Sequence, residues 1–251
     1  MSEKEKADAF YKDIEFGTGG MRGVLGPGTN RMNEFAVKKA TVSFGKMLLD
    51  QYGEEGKKRG ICISHDNRHF SREFTLQSAK ILNKMGFKVY IFDSLRPTPE
   101  LSYAVRYEKA VGGIMITASH NPKVYNGYKV YDDTGCQLVP DAIAPMLDYI
   151  AKIPDELAVE IPEAEKEGET IVMGKEVDDS YIELVKGCQI HPELPKENFK
   201  VVYTPQHGAS LEMSYRAFKE AGYDIHLVES QCVHDPDFSA TPTPNPEHPG
   251  A

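Results

Sequence analysis

Apolar residues recur at helical spacing over 33–52, where Phe35, Val37, Ala40, Val42, Phe44, Met47 and Leu48 approximate one stripe. Asn33 offers an oxygen to cap its start, and Gly53 can end it. Short apolar runs at 60–64, 87–92 and 111–117 read as strands. Between them, 71–85 reads as a helix capped by Ser71 and closed by Gly86, and 100–107 as a helix opened by the Arg96-Pro97-Thr98-Pro99 turn. Alternating strands and helices predict a mainly parallel sheet with helices on both faces. The 128–139 segment, centred on Asp132-Asp133-Thr134-Gly135, reads as a hairpin that adds an antiparallel edge, and a helix over 141–153 closes the unit. Six glycines within residues 17–28 exclude a helix interior there and make poor strand material, so a loop is expected.

Seven acidic residues and one lysine fall within 155–169, flanked by Pro154 and interrupted by Pro162. That composition marks 154–177 as a charged linker. Beyond it, helices at 178–186 and 210–220 alternate with strands at 199–203 and 224–228, while five prolines after residue 234 exclude regular structure. The fold class is therefore α/β: a mixed, mainly parallel first domain over 1–153, then an incomplete second α/β domain over 178–251.

Composition narrows the function. The chain has 251 residues, enough for a substantial core without a metal or disulfide staple. Its apolar runs are far too short for a membrane span, and the charged start Met1-Ser2-Glu3-Lys4 is no secretory signal. A net charge of −9 without a basic, aromatic-rich cluster argues against nucleic-acid binding but leaves small anionic substrates open. Four scattered cysteines without a CxxC pair fit reduced thiols in the cytoplasm.

Ligands of open α/β sheets bind beyond the carboxyl ends of strands, which singles out His65-Asp66-Asn67-Arg68, Thr117-Ala118-Ser119-His120-Asn121-Pro122 and Pro205-Gln206-His207-Gly208. Ser119 lies outside any GxSxG elbow, and its neighbour His120 is poorly placed to act as its base. Lys129 lies across an Asn126-Gly127 turn that can fold it back towards Ser119. A serine, cations and a glycine-rich loop suit phosphoryl transfer, where positioning and charge neutralisation do most of the work. Each also has a plainer reading. Ser119 can be a strand-ending turn, Asp66 and Arg68 a pair that pins a loop, and His207 a solvated loop residue. No HExxH, EF-hand, Walker A or GxGxxG pattern is present.

Several segments coincide with one family. Thr117-Ala118-Ser119-His120-Asn121-Pro122, followed by Tyr125-Asn126-Gly127-Tyr128-Lys129, resembles the phosphoserine loop of the α-D-phosphohexomutases. Phe16-Gly17-Thr18-Gly19-Gly20-Met21-Arg22-Gly23 is similar to that family's first active-site loop, most of all in the phosphoglucomutase branch. Asp66-Asn67-Arg68 with Ser71, Pro97-Thr98-Pro99 and Thr204-Pro205-Gln206-His207-Gly208 match in the same order. The resemblance implies reversible conversion of a sugar 1-phosphate and a sugar 6-phosphate, glucose favoured, through a phosphoserine and a sugar 1,6-bisphosphate. It makes Ser119 the phosphorylated nucleophile, Lys129 and His120 proton-transfer or charge-stabilising groups, and Arg22 and Thr18 the lining of the phosphoserine pocket. Asn121 would fix the loop and, with Ser119, meet substrate. A Mg²⁺ ion would contact the phosphoryl group on Ser119.

One departure from the family pattern stands out. The family's DxDxDR metal loop does not occur in residues 1–251, and the nearest segment, Asp235-Pro236-Asp237-Phe238, has two carboxylates. The sugar-specificity and distal-phosphate loops of the family's third and fourth domains have no counterpart either. An N-terminal fragment, inactive alone and dependent on domains III and IV, is the expectation. The rivals are a non-catalytic sugar-phosphate-binding module that ends naturally at this length and, more weakly, a hydrolase or phosphatase using Ser119.

Overall fold

A computed structural model describes residues 1–17, 20–196 and 198–249. The chain opens with helix α1 (Glu3–Phe10), unforeseen in the apolar pattern but set by a capping box in which Ser2 and Glu5 satisfy each other's backbone. Strands β1 (Phe16–Gly17) and β2 (Gly20–Val24) follow, then α2 (Glu34–Arg59), β3 (Ile61–His65), α3 (Ser71–Lys84), β4 (Val89–Phe92), α4 (Thr98–Tyr107), β5 (Gly112–Ile116), β6 (Tyr125–Tyr131) and α5 (Pro140–Ala151). A short 3-10 turn (Glu156–Ala158) leads to β7 (Thr170–Met173) and α6 (Lys175–Gly187). The second unit contains β8 (Lys200–Tyr203), α7 (Leu211–Glu220) and β9 (Asp224–Leu227).

Seven strands form one sheet in the order β1-β2-β6-β5-β3-β4-β7. β3, β4, β5 and β7 run parallel, whereas β6 is antiparallel to both β5 and β2. Residues of β3 alternate across the sheet: Ile61 and Ile63 join the core under α2, α3 and α5, and Cys62 joins the core under α4 and α6. Helices thus cover both faces, and every residue of β3, β4 and β5 is buried, as a two-sided parallel core requires. No described helix is long and apolar enough to cross a membrane.

Four details depart from the sequence expectation. The glycine-rich stretch contains β1 and β2 rather than only loop. Glycine is needed there because β2 crosses β6 closely: a Cβ on Gly20, at φ 90°, would lie 2.5 Å from the Tyr128 carbonyl oxygen. The expected hairpin over 128–139 has one real arm, internal β6, and a single bridge between Tyr131 and Gln137. Asp132 Oδ1 accepts the Thr134 and Cys136 amides and curls that return into a turn, so the antiparallel edge falls to β1 and β2. The charged 154–177 stretch is no plain linker, since β7 pairs with β4 from Val89↔Thr170 to Phe92↔Met173 and Val159 enters the core. Finally, α3 starts from Phe70 at φ 64° without a side-chain cap, because the Ser71 hydroxyl is committed to Asp66 Oδ1 at 2.7 Å. Helix α2 does take its cap from Asn33, whose Oδ1 accepts the Phe35 and Ala36 amides, but it runs past a break at Gly53.

The second sheet holds two parallel strands among the described residues, with Val202 75% and nearby Phe199 61% exposed. Amides of β8 and β9 are therefore expected to exchange orders of magnitude faster than those of β3 and β5. Equal protection in the two sheets, measured by hydrogen exchange, would contradict this.

Candidate active site

The serine segment leaves the carboxyl end of central β5. Ser119 sits in the left-handed region at φ 58°, a conformation that costs a non-glycine residue roughly 1 kcal/mol and must be held by its surroundings. A relay of hydrogen bonds does the holding. The Ser119 amide donates to Thr117 Oγ1 (2.9 Å), and the Thr117 hydroxyl donates to Asp66 Oδ2 (2.6 Å). Asp66 Oδ1 accepts the Arg68 amide (2.9 Å) and the Ser71 hydroxyl.

Arg68, 3% exposed, completes the frame. Its Nη2 donates to the carbonyls of Ser119 (2.9 Å) and Asn121 (2.6 Å), and its Nη1 to those of Pro122 (3.0 Å) and Tyr125 (3.1 Å). Nε faces Asp66 Oδ2 at 3.2 Å. A planar fork of donors is the one side chain that can grip four carbonyls in this way. The Asp66–Arg68 pair therefore pins more than its own loop; it shapes the Ser119 segment some 50 residues away, a role that spacing could not reveal. Asn121 fixes the loop through its backbone, its amide donating to Ala118 and its carbonyl held by Arg68.

Asn126 and Gly127 lie inside β6, not in a turn, so Lys129 reaches the site by strand pairing. Met115 pairs with Lys129, and Arg22 of β2 pairs with Gly127. Arg22, Gly127 and Lys129 thus share one face with Met115, which lines the cleft below Ser119. A Cβ on Gly127 would meet the Thr117 and Met21 carbonyl oxygens at 2.6 and 2.8 Å, so β6 fits between β2 and the end of β5 only with a glycine there. Burial first, and the neighbouring Arg22 second, draw the Lys129 ammonium below its usual range, while Asp66 opposes them. Among the described residues, neither Arg22 nor Lys129 has an ion-paired carboxylate.

Ser119 Oγ and His120 Nδ1 lie 3.4 Å apart on the exposed rim, a contact at the outer limit of hydrogen bonding. Thr18 falls outside the described residues. The cleft has a volume of about 220 Å³ and lies between Asp66, Thr98, Thr117 and Ser119 on one side and Gly208, Ser210 and Phe238 of the second unit on the other.

The tail that follows the second unit docks directly against the serine frame. Asn67 Nδ2 donates to the Asp235 carbonyl (2.9 Å), Lys123 and His69 meet Asp237 at 3.1 and 3.4 Å, and the Arg68 guanidinium lies 5.2 Å from the centre of the Phe238 ring. Asp235 caps its own turn, and backbone amides of Ser239 and Asp237 help hold its carboxyl down at about 2. His207 is buried, not solvated: Nε2 accepts the Ala240 amide, leaving Nδ1–H for the Val233 carbonyl. Both carboxylates of this segment are thus occupied, and no three His, Cys, Asp or Glu side chains among the described residues converge to hold a metal ion.

This arrangement puts a serine at the tip of a braced loop beside strands that carry Arg22 and Lys129, the residue types that phosphoryl transfer uses. The family described as phosphoglucomutase/phosphomannomutase, alpha/beta/alpha domain I, matches residues 13–156, and its domain II matches residues 179–251. The chain belongs to the phosphoglucomutase/phosphomannomutase family. A phosphoglucomutase of Staphylococcus epidermidis RP62A is 37% identical over 250 residues, which cover 98% of this chain and 45% of that protein. A phosphoglucomutase of Staphylococcus aureus MRSA252 is 37% identical over 249 residues, covering 98% and 44%. The chain therefore spans a little under half the length of these relatives. A Burkholderia thailandensis structure of a phosphoglucomutase/phosphomannomutase family protein superposes with a TM-score of 0.72 over 93% of this chain and 47% of its own, at 22% identity.

Proposed function

We propose that residues 1–251 carry the phosphoseryl half of a phosphoglucomutase-type site that interconverts sugar 1-phosphate and sugar 6-phosphate, glucose favoured. The observation that supports this most is the braced, left-handed Ser119 at the carboxyl end of β5, with Arg22 and Lys129 on one face of the adjoining β2 and β6. In the charging direction, Ser119 Oγ bonds to the phosphorus of a sugar 1,6-bisphosphate as the bond from phosphorus to the sugar oxygen breaks. Lys129, in its neutral form, takes the serine proton, and the leaving sugar oxygen is protonated in turn. Isomerisation combines the two directions: phosphorylated Ser119 gives its phosphoryl group to the free hydroxyl of a sugar monophosphate, and after the resulting bisphosphate turns round, the phosphoryl group on its other oxygen returns to Ser119. Arg22 balances charge on the phosphoryl oxygens, and His120 stands at the rim as a second proton carrier. Thr18 is assigned a phosphoryl-binding role on the family resemblance alone.

Mg²⁺ would add charge neutralisation at the phosphoryl group of Ser119, yet the described residues do not fit a complete Mg²⁺ site. In the proposal, sequence equivalent to the rest of the longer relatives supplies the metal, sugar-selecting and distal-phosphate groups. The free thiols support a cytoplasmic setting.

The test is to incubate the chain, with Mg²⁺ and the C-terminal part of a longer relative present, with glucose 1,6-bisphosphate and map phosphorylation by peptide mass spectrometry. One phosphoryl group on Ser119, absent from Ser119→Ala, is expected. An unlabelled Ser119 that still binds the bisphosphate would overturn transfer and leave a binding module.

A further inference from the structure

We propose that Arg96 is a positioning residue: one buried guanidinium holds together the two walls of the Ser119 cleft. The proposal rests on the phosphoryl-transfer reading of that cleft. Arg96 is 4% exposed and sits in the loop that follows β4. Its backbone is tied to the end of β3, because its amide donates to the His65 carbonyl (3.3 Å) and its carbonyl accepts the Ser64 hydroxyl (2.9 Å). The next residues, Pro97 and Thr98, form the cleft wall on the first sheet.

The side chain points the other way, to α6, which packs on the first sheet, and past it to α7 of the second unit. Nε and Nη2 grip Asp178 of α6 in a two-pronged pair at 3.0 and 2.9 Å, and Nη1 lies 3.6 Å from Glu212 of α7. Helix α7 begins directly after Gly208 and Ser210, the opposite wall of the cleft. The same cation therefore braces the residue before one wall and the first turn of the helix behind the other. Two more carboxyls face it: Asp93 at 3.1 Å from Nη2 and Glu100 of α4 at 3.9 Å from Nε. Glu100 is fully buried and neither of its oxygens has a hydrogen-bond partner, so it is a poor alternative anchor. Burial, with Asp178 beside it, pushes its carboxyl up to about 9, which leaves it uncharged at neutral pH. The buried Asp178 thus depends on Arg96, while the mostly exposed Glu212 adds a looser contact to the same cation. Lysine could not replace it, since a point charge cannot meet Asp178 with two parallel donors and still reach α7.

Two measurements on the same variants test this. Spin labels at Arg106→Cys on α4 and Lys219→Cys on α7, in a chain with Cys136, Cys188 and Cys232 replaced by serine, report the spread of distances between the two units. A narrow distribution in the parent, a broad one in Arg96→Met and an intermediate one in Arg96→Lys are expected. Glu212→Gln, whose side chain is mostly exposed and not needed for folding, should broaden it to a smaller degree and decides the matter if Arg96→Met fails to fold. In parallel, the glucose 1,6-bisphosphate concentration that half-saturates Ser119 labelling should rise about tenfold in Arg96→Met and be partly restored in Arg96→Lys. Unchanged distances in both Arg96→Met and Glu212→Gln overturn the clamp, and broadened distances with an unchanged half-saturating concentration overturn its positioning role. Absence of labelling in the parent overturns the phosphoryl-transfer reading alone, and the distance arm still judges the clamp.

Discussion

Arg68→Leu is expected to destabilise the first unit by about 3–5 kcal/mol, the usual range for removing one partner of a buried charge pair. The substitution strands Asp66 and leaves the carbonyls of Ser119, Asn121, Pro122 and Tyr125 without their shared donor. Leucine fills part of the volume but offers no hydrogen bond, so the loop relaxes out of the left-handed turn at Ser119 and labelling of that serine is lost with it. Arg68→Lys keeps the charge beside Asp66 and can serve one or two of the four carbonyls. It should recover part of the stability and much less of the labelling. Urea unfolding of the three proteins, followed by circular dichroism, separates these cases. A Leu variant within 1 kcal/mol of the parent would show that the loop is held by something other than Arg68.

The difference between what the sequence displayed and what it concealed follows from the range of each interaction. Helix α2 was legible because Asn33 acts on amides two and three residues away, and β3 and β5 because a strand buried on both faces is a short apolar run. The wrongly read stretches are those where a distant partner overrides local preference. Gly20 and Gly127 look like loop and turn residues until β2 and β6 are laid side by side, when their missing side chains become the condition for close pairing. Polar residues at 154–169 suggested a linker, yet the four residues of β7 add to the β4 edge once α5 has turned the chain back. At the site, Ser119 and Lys129 were singled out from position and residue chemistry, and the family resemblance assigned their roles and that of Arg22; the fold supplies the reason for grouping Lys129 and Arg22: adjacent strands place them on one face. The Asp66–Arg68 pair was read as a loop pin, but the wider reach of Arg68, like that of Arg96, was hidden because each acts across 50 residues or more, on backbone carbonyls in one case and on α6 and α7 in the other. His207 was misjudged for the same reason, its partners lying 26 and 33 residues downstream.

Lys129→Met should slow phosphorylation of Ser119 by about 10²–10⁴-fold, the usual contribution of a positioned proton acceptor, while leaving the fold intact, because its aliphatic length is kept. The pH dependence gives the sharper result. Lys129 works as a base only when neutral, so the labelling rate of the parent should climb with pH and level off once Lys129 has lost its proton. Burial and Arg22 both lower that point. Arg22→Gln removes a repelling cation without touching the burial, so the Lys129 ammonium becomes easier to keep and the rising limb must move to higher pH. The same substitution also weakens attraction for the phosphoryl group, which raises the half-saturating bisphosphate concentration at every pH. A limb that stays in place in Arg22→Gln, together with parental rates in Lys129→Met, would assign the proton transfer to His120 instead. A limb that moves to lower pH would mean that the charged lysine, stabilising the phosphoryl oxygens, is the active form.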